Sequence, residues 1–369
     1  MRFEIIEDVN DFVEFHDAWN RLLAKNITNP LPLTHEWMVA WWKNFGGNRQ
    51  LFVVCVYDKN SLVAIAPFMR DEVSYRGIQT TVLRLMANGH SPFCDVILDG
   101  SASEETISKI TEQLVNANTA DIMTFAKISE TSSIHASLIA DPRVHGHRYG
   151  VKDSLITPIL TITGSWDDYF RGRSRKFRKN IANKLNRVTK EPDISINKEV
   201  VTSRHAPVLD EIAEVSSRSW KARIKNDLVS NTAGRGFLLD LVDSFGPEGA
   251  VHIWALRKAG VLVAFEFHLV HGDVVYPLRA DFDENYRKIS PGSVLEYTAL
   301  KALFEEKNVS QYYSCADNYW YLNNWTNDVR KHFDVEVFAS GIKPFMIHAL
   351  EFRIIPLLRV AREKIIRKS

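Results

Sequence analysis

Apolar residues recur along this chain at spacings that predict alternating helices and strands. In the first half, apolar positions at helical spacing predict helices over residues 11–23, 34–45 and 104–116. Short apolar runs predict strands over residues 2–7, 51–57, 62–69, 80–85, 94–98 and 121–126. The two runs around the turn at 58–60 indicate a β-hairpin. Mixed helices and strands in this order predict an α/β fold.

The same order of elements returns about 200 residues later. Leu62-Val-Ala64 aligns with Leu262-Val-Ala264, and both triplets follow a turn and open the second strand of a hairpin. We match the strand at 273–280 with the one at 94–98, and the helix from Gly292 with the helix from Glu104. We interpret the chain as two copies of one α/β unit.

The loop that follows the strand at 273–280 is the first candidate for chemistry. It contains Arg287, Lys288, Ser290 and Gly292 and leads directly into a helix. The unpaired amides at a helix start, the helix dipole and two cations together favour an anion. The alternative is an ordinary strand–loop–helix connection with proline in its usual early-helix position.

A strongly basic helix lies between the two copies. Residues 171–190 contain nine lysines and arginines and no acid. Phe177, Ile181, Leu185 and Val188 give this helix one apolar stripe, so it packs on one side and presents cations on the other. That basic face is either an anion-binding surface or a solvated one.

Composition limits the alternatives. A length of 369 residues predicts two domains, and a formal net charge of +1 gives no general attraction for DNA. Three scattered cysteines and no Cys-x-x-Cys predict neither a disulfide framework nor a metal site. The acidic N-terminus does not resemble a signal peptide, and no apolar window is long enough to span a membrane, so we expect a cytoplasmic protein.

Four stretches carry a resemblance to a known family. They are Pro32 to Phe45 with Leu62 to Phe68, Trp166 to Val188, Asp281 to Leu295 with its Ser290-Pro-Gly292, and Tyr312 to Trp325. In this order they resemble the GNAT acyltransferase superfamily, specifically the tandem-domain acetyltransferases of the cellulose and exopolysaccharide biosynthesis type. That group is related to the Fem-type peptidoglycan aminoacyltransferases. The resemblance implies two tandem GNAT-like domains, each a central mixed sheet flanked by helices.

The resemblance also implies a donor site and a reaction. In a GNAT fold the loop after the fourth strand binds the pyrophosphate of coenzyme A through backbone amides. Here that role would fall to Arg287, Lys288, Ile289, Ser290, Pro291, Gly292 and Ser293. Only the second copy would bind acetyl-CoA or another acyl-CoA, because the first copy reads Asp99-Gly-Ser-Ala-Ser-Glu-Glu105 at the matching place. The expected enzyme is an acyltransferase in which an amine or hydroxyl attacks the donor directly.

Several residues are candidates for acid–base chemistry or for binding the acceptor. Asp281 and Asp283 lie beside the donor strand, and Glu266 stands alone among apolar neighbours, where burial would raise its pKa. An outward-facing or paired carboxylate is the more ordinary interpretation of Glu266. Tyr319 and Tyr321 are candidates for the acid that protonates the leaving group. The candidates for substrate binding are Arg175, Lys176, Arg178 and Trp325.

Two other functions remain open. One is Fem-type transfer from aminoacyl-tRNA, with the basic helix holding phosphates. The other is an inactive scaffold in polysaccharide export, which two departures from the family pattern favour. The donor-binding motif, which usually contains several glycines, has only Gly292 here, and Tyr321-Leu-Asn-Asn-Trp325 lacks the lysine often found there.

The expected domains are an N-terminal GNAT-like domain at 1–150, on the acceptor side, and a C-terminal donor-binding domain at 151–345. Residues 346–369 form a basic, apolar terminal helix that either docks on the domain or lies on an anionic membrane surface. We expect a small-molecule or glycan acceptor and no DNA.

Overall fold

The computed structural model describes residues 1–26, 30–116, 120–140, 147–317 and 321–358. The α-helices are α1 (Val9–Glu14), α2 (His16–Leu23), α3 (His35–Phe45), α4 (Glu104–Asn116), α5 (Ser133–Ala140), α6 (Trp166–Arg171), α7 (Arg175–Val188), α8 (Val208–Ser217), α9 (Thr232–Phe245), α10 (Pro291–Glu306) and α11 (Ile342–Ala349). Short 3₁₀ helices cover Leu31–Leu33, Trp220–Ile224, Glu284–Ile289 and Leu322–Asn324, and Leu350–Ile354 forms a π-turn.

The strands are β1 (Arg2–Ile6), β2 (Gln50–Asp58), β3 (Ser61–Tyr75), β4 (Ile78–Leu85), β5 (Ile97–Leu98), β6 (Ile122–Ser129), β7 (Arg148–Thr161), β8 (Ile194–Val200), β9 (Val251–Lys258), β10 (Val261–His271), β11 (Val274–Phe282), β12 (Gln311–Tyr313) and β13 (Val329–Phe338). Among the described residues, no helix is both long enough and apolar enough to cross a membrane.

The chain divides into two compact units. The first contains residues 1–42, 46–155 and 331–369, and the second contains residues 43–45 and 156–330. The expected boundary at 345 therefore differs from the end of the second unit at Arg330. The physical reason is strand pairing, because β13 lies antiparallel to β6 of the first unit, with Phe338 opposite Ile122.

The first unit is built on a mixed sheet with the strand order β1-β2-β3-β4-β6-β13. Neighbouring strands run antiparallel except β4 and β6, which are parallel and place Val82 opposite Ile122. The aromatic stripe of α3 is core, since Trp37 and Trp41 are almost completely buried.

The second unit repeats this pattern. Its sheet has the order β8-β9-β10-β11-β12 followed by the end of β7. β11 is antiparallel to β10 and parallel to β12, as β4 is to its neighbours in the first unit. The counterpart of β11 is therefore β4 and not the run at 94–98, where the structure has only the two-residue strand β5 paired with β3. The run at 94–98 was the wrong match, although the duplication itself is confirmed.

Candidate donor and acid–base site

The loop between β11 and α10 begins as a 3₁₀ helix and ends at an unusual backbone position. Ser290 has φ 55° and ψ 52°, in the left-handed region that serine seldom occupies, and Pro291 follows as the first residue of α10. A right-handed residue followed by a left-handed one points successive backbone amides to the same side and favours an anion. Because the first intrahelical bond runs from Val294 N to Ser290 O, the amides of Gly292 and Ser293 precede it.

The basic helix α7 contacts this loop directly. Lys184 Nζ donates a hydrogen bond to Ser293 Oγ at 2.8 Å, and Arg187 Nη1 donates to the carbonyl oxygen of Lys288. Arg287 and Lys288 are themselves exposed at the same loop. Two cations of α7 therefore contact the segment that opens α10, and two more belong to that segment, so the two basic features found in the sequence adjoin each other.

Asp281 belongs to a buried ion cluster. Its carboxylate accepts hydrogen bonds from Ser216 Oγ and Arg279 Nε, each at 2.7 Å, and lies 2.6 Å from Lys221 Nζ. Only 5% of Asp281 is exposed. Three partners therefore hold this carboxylate in place, and loss of any one of them would leave buried charge uncompensated.

Asp283 likewise has a structural role. Its carboxylate caps the 3₁₀ helix by accepting from Asn285 N, and it accepts a hydrogen bond from Arg218 Nε at 2.7 Å. Asp283 is buried. It fixes the beginning of the loop that leads to Ser290.

Glu266 faces the opposite side of the sheet from Asp281. Glu266 pairs with Ala280 across β10 and β11 while Asp281 pairs with Phe265, so the two carboxylates point to opposite faces. Glu266 is buried, and its Oε2 lies 2.9 Å from Nε2 of His268, two residues along the same strand. Burial raises the pKa of Glu266, and it lowers the pKa of His268 to about 3, with a further contribution from Lys198.

Glu296, on α10, is the second carboxyl group of this site. It lies one helical turn after Gly292, so the two residues share a face of α10. Burial and the neighbouring Glu266 raise the pKa of Glu296, while a hydrogen bond from Trp325 and the charge of Lys184 oppose the rise. Glu266 is buried and Glu296 is partly buried, and carboxyl groups with raised pKa values can accept or donate a proton near neutral pH.

A small cavity of the second unit, with room for about one water molecule, lies beside Glu296. Its other lining residues come from β7, α10, β12 and the segment after β12: Pro158, Leu160, Leu300, Tyr312, Ser314, Leu322, Trp325 and Thr326. The ring of Tyr312 contacts that of His268, with centroids 5.9 Å apart. Burial and both glutamates hold the pKa of Tyr312 well above its usual value, so its phenol stays protonated and can donate.

Trp325 closes this cavity. Only 4% of the residue is exposed, and its indole stands perpendicular to the ring of Phe177 from α7, with centroids 4.7 Å apart. Its carbonyl oxygen accepts hydrogen bonds from the hydroxyl of Tyr169 and from Arg173 Nη1. Phe177 of α7 and Tyr169 of α6 thus fix the wall of the cavity.

The remaining sequence candidates are spread over the surface around this site. Arg175 and Lys176 are exposed at the start of α7, and Arg178 Nε donates to the carbonyl of Arg173. Tyr321 is 42% exposed at the beginning of a 3₁₀ helix. Tyr319 lies outside the described residues.

Sequence reasoning overlooked Glu296, His268 and Tyr312. A signal for Glu296 was present, because it is an acid placed four residues after Gly292 and four before Leu300, on a helix face that otherwise packs. His268 had the weaker signal of a two-residue spacing from Glu266 in a strand. Tyr312 carried none, since an aromatic residue in a strand is usually core.

The first copy differs at the matching place. Asp99 Oδ2 lies 3.1 Å from Lys25 Nζ, and the first turn of α4 carries Glu104 and Glu105. Acids at a helix start oppose an anion. Across the described residues, no group of His, Cys, Asp and Glu is arranged to hold a metal ion.

Comparison with known proteins agrees with this architecture. Residues 175–321 match the acetyltransferase (GNAT) domain family, a range that contains α7, the loop, α10 and β12. The chain therefore has a tandem GNAT-like fold, and the family match lies within its second unit. The predicted fold class is confirmed. No match was found among curated proteins.

Solved structures share the fold over nearly the whole chain. FemX aligns with a TM-score of 0.56 at 10% identity, covering 92% of this chain and 98% of FemX. A tandem GNAT protein from the clavulanic acid biosynthesis pathway aligns at 0.51 and 11% identity, covering 92% and 100%. L-PGS from Bacillus licheniformis aligns at 0.51 and 12% identity, covering 90% and 94%. At such identities the likeness is one of fold.

Proposed function

We propose that this protein transfers an acyl group, acetyl in the simplest case, from acyl-CoA to an amine or hydroxyl. The observation that carries the proposal is the arrangement on α10: the amides of Gly292 and Ser293, four neighbouring cations, and Glu296 one turn further on beside a cavity. A pyrophosphate at the loop would place an attached arm within reach of the two glutamates.

The chemistry follows from these positions. The acceptor amine attacks the thioester carbonyl, Glu296 takes the amine proton as the new C–N bond forms, and the phenol of Tyr312 protonates the departing thiolate. Glu266 acts as a positioning residue, because its carboxyl group helps to keep the pKa of Glu296 high enough for proton transfer near neutral pH. His268 acts through Glu266, whose Oε2 it contacts. The products are an acylated acceptor and the free thiol.

The acceptor would approach near Arg175 and Lys176, exposed cations at the start of α7, and near Trp325. We propose a sugar- or amino-bearing acceptor of the polysaccharide type, for which exposed cations and an aromatic wall offer hydrogen bonds and stacking. Asp281 and Asp283 are assigned to stabilising the donor loop and not to proton transfer.

Isothermal titration with acetyl-CoA tests the donor site. We expect the wild type to bind and the variant Arg287→Gln/Lys288→Gln to lose about tenfold or more in affinity, since each charge-assisted contact contributes about 1.5–3 kcal/mol. Lys301→Gln is the matched control, a partly exposed cation further along α10 that pairs weakly with Glu305 at 3.6 Å. Absence of heat with the wild type would contradict the proposal.

A second candidate, transfer from aminoacyl-tRNA, is favoured by one observation. Arg175, Lys176 and Lys179 are exposed along α7, beyond the two cations that contact the loop. Such a row could follow a nucleic-acid backbone.

A further inference from the structure

The last described helix packs on the first unit through one face. Pro344, Ile347 and His348 of α11 are buried, and the ring of Phe352 stacks on His348 with centroids 5.5 Å apart. A Cβ on Gly150 would lie 2.1 Å from Cζ of Phe352, so only glycine on β7 admits this ring. The inner face of the helix is therefore fixed.

The outer face of the same helix is apolar and exposed. Its exposed side chains are Ile342 (80%), Phe345 (43%), Met346 (53%), Ile354 (47%), Leu357 (71%) and Leu358 (63%). The π-turn at Leu350–Ile354 is what aligns them, because its i to i+5 bonding accommodates about one extra residue. In an uninterrupted α-helix, Ile354 and Leu358 would rotate toward the buried side.

Charge is segregated on this helix in the same way. Glu351 is the one acid between residues 342 and 358, and it is held inward by Arg76 Nε at 2.8 Å and Lys152 Nζ at 3.2 Å. The exposed cations of the helix are Lys343, which pairs with Asp121, and Arg353. Arg148 of β7 is also exposed, and its guanidinium lies 4.6 Å from the ring centroid of Phe345. The sequence after Leu358 adds five cations and one acid: Arg359, Arg362, Glu363, Lys364, Arg367 and Lys368.

We propose that this outer face binds an anionic lipid surface, with the apolar side chains in the interface and the cations at the headgroups. The positive charge of this face favours a lipid surface over a second copy of the chain. In a symmetric contact between two copies, the same cations would face each other, whereas anionic headgroups neutralise all of them. The catalytic unit would then act beside a membrane, on an acceptor that is made or held there.

Co-sedimentation of the full chain with vesicles tests this surface. We expect binding to phosphatidylcholine vesicles that contain phosphatidylglycerol, little binding to phosphatidylcholine alone, and release at high salt. Leu357→Ser/Leu358→Ser should weaken binding about tenfold or more, and Arg353→Glu should weaken it on the anionic vesicles. The matched control is Val229→Ser/Val261→Ser, two exposed apolar residues of the second unit (53% and 58%), which should bind as the wild type does.

Three results would overturn the proposal. They are no binding to anionic vesicles, binding that is indifferent to phosphatidylglycerol and to salt, and a dimer in sedimentation velocity that Leu357→Ser/Leu358→Ser disperses. Acetyl-CoA titration of the same variant separates the two proposals, since donor binding should remain unchanged when lipid binding is lost.

Discussion

In the mechanism that we propose, Glu296 is the residue on which the acid–base chemistry depends. Its carboxyl group is near a second one, that of Glu266, in a setting where burial and repulsion both disfavour the charged form. A group whose pKa lies close to the working pH is the most effective proton acceptor. Glu266 is held by His268, which leaves Glu296 as the carboxyl group that lines the cavity.

Replacing Glu296 with Gln should lower kcat about 10²–10⁴-fold, the usual contribution of a general base. The KM for acetyl-CoA should change little, because the phosphates are bound at the loop. Glu305→Gln is the control, an exposed carboxylate on the same helix. Steady-state kinetics on both variants makes the comparison, and an unchanged kcat in Glu296→Gln would remove Glu296 from the mechanism.

The same substitution should alter the pH dependence of stability. Burial and Glu266 raise the pKa of Glu296 from 4.5 to about 8. A raised pKa means that the folded state binds the proton more tightly, so this stabilisation is complete below pH 4.5 and is lost as the pH rises through 8. The free energy of unfolding of Glu296→Gln should therefore fall less steeply over that window than that of the wild type, as urea titrations would show.

Individual residues could be predicted only where their chemistry was visible locally. The loop at 287–293 could be proposed as the donor site because charge, proline and glycine all fall within seven residues. The role of Asp281 was not found, since its partners Ser216 and Lys221 are about 60 residues away in sequence. Only the fold brings them together.

At the scale of elements, α7 presents two distinct groups of cations. Lys184 and Arg187 contact the loop, while Lys176 and Lys179 are exposed nearer its start. The apolar stripe predicted from the sequence explains this division, because Ile181 and Val188 are buried and fix the rotation of the helix.

Substitutions on the two groups should therefore separate the two donors. Lys184→Gln/Arg187→Gln should weaken acetyl-CoA binding about tenfold or more, and Lys176→Gln/Lys179→Gln should leave it within about twofold. If aminoacyl-tRNA is the donor, anisotropy titrations with tRNA should instead show log affinity falling steeply with log salt concentration. The slope should become shallower in Lys176→Gln/Lys179→Gln, because fewer cations then contact phosphates.

Elements with continuous apolar runs or one clear stripe were predicted, among them β2, β9, β10, α3 and α4. β7 and β13 were not, because charged residues interrupt them: β13 reads Val329-Arg-Lys-His-Phe-Asp-Val-Glu-Val-Phe338. One predicted helix over 11–23 is two, α1 and α2, divided at Phe15. Phe15 lies on the common apolar face, so periodicity alone could not reveal the break.

At the scale of the molecule, the duplication is confirmed but the two copies have diverged in charge. α10 begins beside four cations, whereas α4 begins beside Asp99, Glu104 and Glu105. We therefore expect one acetyl-CoA per chain in calorimetric titration. A stoichiometry of two would show that the first copy also binds the donor.

The strand β13 also has a consequence for synthesis on the ribosome. The second unit is almost continuous in sequence, from 156 to 330, whereas the first needs residues 331–338 to cover the edge of β6. During translation the edge of β6 stays unpaired after the first 155 residues have been made, until β13 has also left the ribosome. The unit made first is thus the last to be completed, and premature release before Val329 would leave that edge open to aggregation.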